Sequence, residues 1–307
     1  MGKLVGHKPP HTPEASLELR QSEQVDIDRL ISCIYDDIEP HVTRNFGNNI
    51  IQLPQEMGGW CISETGERLL YVVFHPEAGR ATVQNAQRRH LGSVDLNPQQ
   101  NHALTAYPPS VSQSRDLRSA RTVIDFAVAN HLVRHFILTY EEQPDTTVTA
   151  AHEFEKFIRR TRRKCGQFAW VQVLERGELN DRLHHHLMAG RGLRPGDVET
   201  VWGNGFVLHK QLRKVTGIRI TAGYLCKTFR TPECDRLGSH RYRVSRHGVR
   251  PRARGMVVTE AEYRAIIEQL APAGSYDWYP DDSVAFHEYS TLWDPYINVY
   301  KNQPKIA

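Results

Sequence analysis

Three consecutive histidines, His184-His185-His186, stand among apolar residues in the segment LHHHLMA (183–189). In a strand, successive side chains alternate faces, so His184 and His186 project together and His185 projects oppositely. Two imidazoles closing on one face form half of a divalent-metal site. The preceding segment QFAWVQVLE (167–175) also has strand character, and the polar RGELNDR between the two makes a hairpin. If that loop is symmetric about Leu179 and Asn180, Glu175 lies opposite His184 and points to the same face. A carboxylate with two imidazoles suits Mn²⁺ or Mg²⁺ and tolerates Zn²⁺ or Co²⁺. Glu178 is a second candidate for the third ligand under another register. Three histidines in a row are also compatible with a surface run that binds nothing.

A second pattern follows about 38 residues later, Tyr224-Leu225-Cys226-Lys227. Residues 221–229 read as a short helix, on which positions i and i+3 share a face and bring Tyr224 and Lys227 to one point. A phenol ionises near pH ~10 and needs help to act as a nucleophile at neutral pH. A neighbouring ammonium favours the phenolate, and a metal makes a phosphate more electrophilic. A Tyr-x-x-Lys spacing also arises by chance in a chain with twelve tyrosines.

These segments need a frame. Residues 115–132 alternate basic and apolar at helical spacing, with Leu117, Ala120, Ile124, Ala127 and Val128 on one side. HFILTY (135–140) reads as a core strand. Residues 150–164 read as a helix, with Phe154, Phe157 and Ile158 inward and Arg159, Arg160, Arg162, Arg163 and Lys164 outward. The Gly-Asn-Gly turn of WGNGFVLHK (202–210) leads into a strand, and HRYRVSR (240–246) reads as a last one. Helices alternating with strands and at least one tight hairpin predict an α+β fold: a central, mainly antiparallel sheet flanked by helices. Before it, residues 1–14 read as a tail, 15–41 as one or two helices, 66–79 as a strand and 91–114 as a polar linker. After it comes a helix over 259–271 and an aromatic tail with Trp278, Tyr279, Trp293, Tyr296 and Tyr300, for which packing is the expectation.

Charge is divided along the chain. It is −4 over residues 1–114, +13 over 115–254 and −5 over 255–307. A basic block between acidic flanks attracts polyanions, of which nucleic acid is the commonest, although a solvated basic face is the plainer reading. The five cysteines are dispersed without a Cys-x-x-Cys pair, as in free thiols of a reducing compartment. No run approaches the ~18 apolar residues of a spanning helix, and the N-terminus has no secretory pattern, so a cytoplasmic protein is expected. A Gly-x-x-x-x-Gly-Lys-Ser/Thr signature is absent, which excludes a P-loop motor.

Taken in order, the strand ending Ile137-Leu138-Thr139-Tyr140, the pair His184 and His186 with Glu175 upstream, and Tyr224 with Lys227 resemble the HUH endonuclease superfamily. The likeness is to rolling-circle replication initiators of plasmids and phages. The WGNG turn and the run GSHRYRVSR (238–246) are also similar to this family, and the likeness spans roughly residues 115–250. His185 departs from the hydrophobic residue that the family pattern has between its two histidines. The resemblance implies residues 115–254 as an HUH endonuclease domain, with 1–114 as an N-terminal region of unknown role and 255–307 as a C-terminal extension.

It further implies metal-dependent transesterification on single-stranded DNA at a replication origin. Glu175, His184 and His186 would hold Mg²⁺ or Mn²⁺. Tyr224 would attack in line to leave a 5′-phosphotyrosine and a free 3′-hydroxyl, and Lys227 would stabilise charge. Arg159, Arg160, Arg162, Arg163, Lys164, Arg241, Arg243 and Arg246 would carry backbone phosphates. Trp170, Trp202 and Phe206 can stack on bases, though core packing is the expectation for each. With one tyrosine in the motif, closing a circle needs a second protomer, hence a homodimer, or an activated water. Strand separation needs a helicase, and extension a polymerase, of a prokaryotic host cell.

Three other readings remain. A single-tyrosine transposase or relaxase of the same superfamily shares the chemistry. A DNA-binding protein on the same fold would keep the basic block without using a metal or Tyr224. A metalloenzyme acting on a small molecule would rest on the histidine pair alone.

Overall fold

The elements follow the hydrophobic periods of the chain. The computed structural model describes residues 27–28, 30–34, 51–52, 61–63, 66–86, 111–177, 181–230, 242–278 and 289–296. In order these form strands β1 (Ile51–Gln52), β2 (Cys61–Ile62), β3 (Leu69–His75) and β4 (Arg80–Asn85), then helix α1 (Val111–Ala129) and strand β5 (Arg134–Thr139). Helix α2 (Thr147–Cys165) follows, then β6 (Trp170–Arg176), β7 (Leu183–Ala189), α3 (Pro195–Trp202), β8 (Val207–Gln211) and α4 (Val215–Leu225). The chain continues through β9 (Arg243–Val244), β10 (Arg254–Thr259), α5 (Glu260–Leu270), β11 (Tyr276–Trp278) and β12 (Tyr289–Leu292). The architecture is α+β, with two five-stranded sheets whose identified pairings are antiparallel. No helix among the described residues is long and apolar enough to cross a membrane.

The chain divides into two compact units, each assembled from separated stretches. The first comprises Met1–Phe74, Ala81–Val94 and Ala253–Trp293. Its sheet runs β10-β3-β4-β12-β11, so strands from both acidic flanks share one ladder, with Arg254 opposite Phe74 and Thr259 opposite Leu69. The sequence reading keeps 1–114 and 255–307 as separate regions, because pairing between positions so far apart leaves no local trace. Leu70, Val72 and Phe74 alternate into the core and meet Tyr263, Ile266 and Leu270 of α5. That helix opens on a capping box: Thr259 accepts from the Glu262 backbone, and the Glu262 carboxylate accepts from Thr259 N–H. Trp293 is buried in the same cluster.

The second unit comprises His75–Arg80, Asp95–Arg252 and Asp294–Ala307. Its sheet runs β8-β5-β7-β6-β9 and is covered on both faces. On one face Val171, Val173 and Met188 pack against Val123, Phe126 and Ala127 of α1 and Ile218, Ala222 and Leu225 of α4. On the other, Phe136, Leu138, Leu174 and Leu187 pack against Phe154, Phe157 and Ile158 of α2 and Val198 and Trp202 of α3. Helix α2 starts where Thr146 accepts from Thr149 N–H, and ends with Arg162, Arg163 and Lys164 at the negative end of its dipole. Tyr296 reaches Val128 O with its hydroxyl and stacks on His131 at 4.6 Å. Tyr279, Tyr300 and Cys234 lie outside the described residues; Cys33, Cys61, Cys165 and Cys226 are free thiols.

Candidate metal and tyrosine site

The β6–β7 hairpin has the register of a symmetric loop, with Glu175 opposite His184 and Val173 opposite His186. Pleat parity therefore puts Glu175, His184 and His186 on the face covered by α1 and α4. Glu175 Oε2 lies 2.9 Å from His186 Nε2 and 3.9 Å from His184 Nε2, and the two Nε2 atoms are 3.1 Å apart. The three ligand atoms lie within 4.8 Å of one another. Glu178, the alternative third ligand, falls outside the described residues.

The surroundings turn these atoms inward. His184 Nδ1 is 3.3 Å from Arg182 O, so a proton on that nitrogen leaves the Nε2 lone pair facing the cluster. His186 Nδ1 is 3.0 Å from His135 Nε2, and the two rings stack at 5.2 Å. Burial and the neighbouring His186 push His135 down to about 4, so it is neutral and can accept the Nδ1 proton of His186. Burial likewise lowers His184. For Glu175, burial favours the protonated form, but the proximity of His186 and Lys227 outweighs it and holds the carboxyl below its usual range. Glu175 Oε2 is buried and has no hydrogen-bond donor despite its close imidazole. Two imidazole nitrogens and an orphaned carboxylate oxygen converging on one point are acceptors without a donor, and a divalent cation fits them.

Tyr224 and Lys227 stand beside this cluster. Tyr224 occupies the last turn of α4, which begins at Val215, earlier than the sequence reading places it, and Lys227 lies in the tighter helical turn Cys226–Arg230. The change from 3.6 to about three residues per turn keeps positions i and i+3 on one side. Lys227 Nζ donates to the Tyr224 hydroxyl at 2.9 Å and lies 3.3 Å from Glu175 Oε1. The hydrogen bond to Tyr224 holds the ammonium above the usual lysine range. Lys227 thus links the carboxylate of the cluster to the phenol, which is 54% exposed.

His185 points to the opposite face and is fully buried among Phe154, Tyr140 and Trp202. Its Nδ1 is 3.0 Å from the Gln172 amide and its Nε2 is 2.7 Å from the Tyr140 hydroxyl, which in turn donates to Ala150 O. Burial pushes it down to about 3, so it is neutral. A histidine stands here in place of a hydrophobe because its neutral form has a partner at each nitrogen.

Sequence reasoning missed two features. His135, which orients His186, lies in a strand that reads as core; only the pairing of β5 with β7 (His135 opposite Met188, Thr139 opposite His184) brings it to the site face. The second is Phe206. Trp170 and Trp202 are buried as expected, but Phe206 is 75% exposed. Thr139 N–H donates to Phe206 O, and Phe206 N–H donates to the Thr139 hydroxyl, which continues a row Glu175, His184, Thr139, Phe206 across β6, β7, β5 and the residue before β8. Val207 packs on the α2 side, so the parity of β8 turns Phe206 and Leu208 toward the metal-site face. A Cβ on Gly205 would lie 2.5 Å from Thr139 O, and only glycine permits that approach.

The basic residues lie elsewhere. Arg159, Arg160, Arg162, Arg163 and Lys164 are on α2, which packs on the sheet face opposite Glu175 and His186. Arg160 donates to Trp202 O, Lys164 pairs with Asp197 at 2.9 Å, and Arg243 pairs with Glu155 at 2.9 Å. Arg246 is exposed at the edge beyond β9, and Arg241 lies outside the described residues.

The family described as replication-associated protein ORF2/G2P matches residues 134–230, which run from β5 to the turn that carries Lys227. The match covers the entire cluster and is consistent with a replication initiator. Comparison with curated proteins and with solved structures gave no match.

Proposed function

We propose that this protein nicks and rejoins single-stranded DNA through Tyr224 and so initiates rolling-circle replication as a member of the HUH endonuclease superfamily. One observation carries the reading: a single lysine joins an exposed tyrosine to a carboxylate that shares its point of convergence with two imidazoles. A divalent ion held by Glu175, His184 and His186 would polarise the scissile phosphate. The Tyr224 oxygen forms a bond to phosphorus as the bond from phosphorus to the 3′-oxygen breaks, leaving a 5′-phosphotyrosine and a 3′-hydroxyl. The phenol proton passes to solvent, which also supplies the proton of the new hydroxyl. Lys227, held as an ammonium, cannot take that proton; it stabilises negative charge developing on the phenol oxygen. The exposed ring of Phe206 at the end of that row gives a base a stacking surface beside the cluster.

Labelled single-stranded DNA from a candidate origin, incubated with the protein and Mn²⁺, is expected to be cleaved with a protein-linked product. Chelation by EDTA abolishes both, and so does Tyr224→Phe. Cleavage that persists in Tyr224→Phe reassigns the nucleophile, and tight binding without cleavage makes the chain a DNA-binding protein on a nuclease fold.

A further inference from the structure

On the sheet face away from the metal cluster, α2 and the edge strand β9 enclose a groove of about 670 Å³. Four guanidinium groups line it, those of Arg159, Arg162, Arg243 and Arg246, beside Trp170 and Tyr242. Among the described residues Glu155 is the one carboxylate in the lining, and it is engaged with Arg243. Trp170 is only 7% exposed, yet its Nε1–H finds no acceptor among the described residues, and neither does Arg162 Nε–H. Buried donors left unpaired are costly and uncommon in folded proteins.

We infer that this groove is a second nucleic-acid site, which takes a phosphodiester segment other than the one at the metal cluster. The lining guanidinium groups offer positive charge and donors alone, so the ligand must be anionic and rich in acceptors. Phosphodiester oxygens meet that requirement. Trp170 has the parity of Leu174, opposite to that of Glu175, so one nucleotide cannot contact both faces of the sheet. The inference rests on the DNA-binding half of the function proposed above and not on its chemistry.

Binding of the full chain to labelled DNA, single-stranded in one arm and duplex in the other, tests this with EDTA present throughout. Arg159→Glu combined with Arg246→Glu is expected to weaken binding at least tenfold in the arm the groove serves. The plot of log affinity against log salt should become shallower by roughly 1.4 for a single strand or 1.8 for a duplex, the loss of two phosphate contacts. Both positions are exposed, and circular dichroism checks that the variant is folded. Photocrosslinking with 5-iodouracil in place of thymine then locates the groove's occupant: His152, exposed in the groove lining, should be labelled by nucleotides different from those that label α4. Unchanged affinity and salt dependence in both arms overturn the inference, as does labelling of His152 and α4 by the same nucleotides. If the protein never cleaves DNA but the charge reversal still weakens binding, the groove stands and the nicking reading falls.

Discussion

At the residue scale, three histidines in sequence do three different things because the pleat and the hairpin give each a different environment. His184 and His186 keep inward lone pairs, while His185 is a neutral core residue with a partner at each nitrogen. The parity of this hairpin was legible in sequence, since it follows from period two; its register follows only if the loop is symmetric. The role of His135 was not, because it depends on pairing between strands 50 residues apart in the chain. Replacing His135 with Ala is expected to lower Mn²⁺ affinity ten- to a hundredfold, the usual effect of removing a ligand's outer hydrogen-bond partner, without altering the circular dichroism spectrum. Calorimetric titration with Mn²⁺ measures it.

His185 has its own consequence. Its folded pKa, about 3, lies below the ordinary histidine value of 6.5, so the unfolded chain binds the proton first as pH falls. The stability it contributes is fully present above pH 6.5 and is lost between there and pH 3, at up to about 1.4 kcal/mol per pH unit. In His185→Leu the Tyr140 hydroxyl and Gln172 amide lose their partner, so about 1–3 kcal/mol should be lost at pH 8. The deficit should shrink at pH 5, where wild type bears the protonation penalty and the variant does not. Urea midpoints at the two pH values decide this; an equal deficit at both would show that His185 is not the group being protonated.

At the element scale, the turn between α3 and β8 is the least local part of the site. The Gly-Asn-Gly signal was legible as a turn, but the reason for its last glycine was not. That residue lies against the backbone of Thr139, Tyr140 and Glu141, whose approach the sequence does not announce. Trp202 Nε1 donates to Thr139 O and Glu141 N–H to Asn204 O, so the turn is tied to the end of β5 on both sides. Fixing an aromatic ring in advance lowers the entropy lost when a base stacks on it. Phe206→Ala removes an exposed side chain and should leave the melting temperature unchanged, while weakening single-stranded DNA binding by about 1–3 kcal/mol, roughly ten- to a hundredfold. Gly205→Ala should do both kinds of harm. Its Cβ meets backbone atoms at 2.5–2.8 Å, so the turn must move, at a cost on the order of 1–3 kcal/mol. Thermal melts beside fluorescence anisotropy separate the two variants.

At the scale of the whole molecule, the second unit is completed by residues far outside the segment that bears its motifs. The reading of 115–254 as a domain follows from the basic block and the motif order, both of which are contiguous. What it misses is the turn His75–Arg80, which belongs to this unit. Arg80 and Asp125 form a buried ion pair at 2.6 Å, and Arg219 donates to the carbonyls of Ala78 and Gly79. Neither partnership has a local signature, because a buried charge announces itself only when its counter-charge is brought beside it. The two contexts of Asp125 give opposite expectations for one substitution. In the full chain, Asp125→Leu removes the carboxylate that accepts two hydrogen bonds from the buried Arg80 guanidinium, which should cost about 3–5 kcal/mol. In a fragment spanning 115–254, Arg80 is absent and Asp125 is the stranded charge, so the same change to Leu should stabilise. Urea denaturation of the four proteins tests the reversal of sign. Destabilisation of the fragment by Asp125→Leu would mean that another group neutralises Asp125, and that the turn is not what completes this unit.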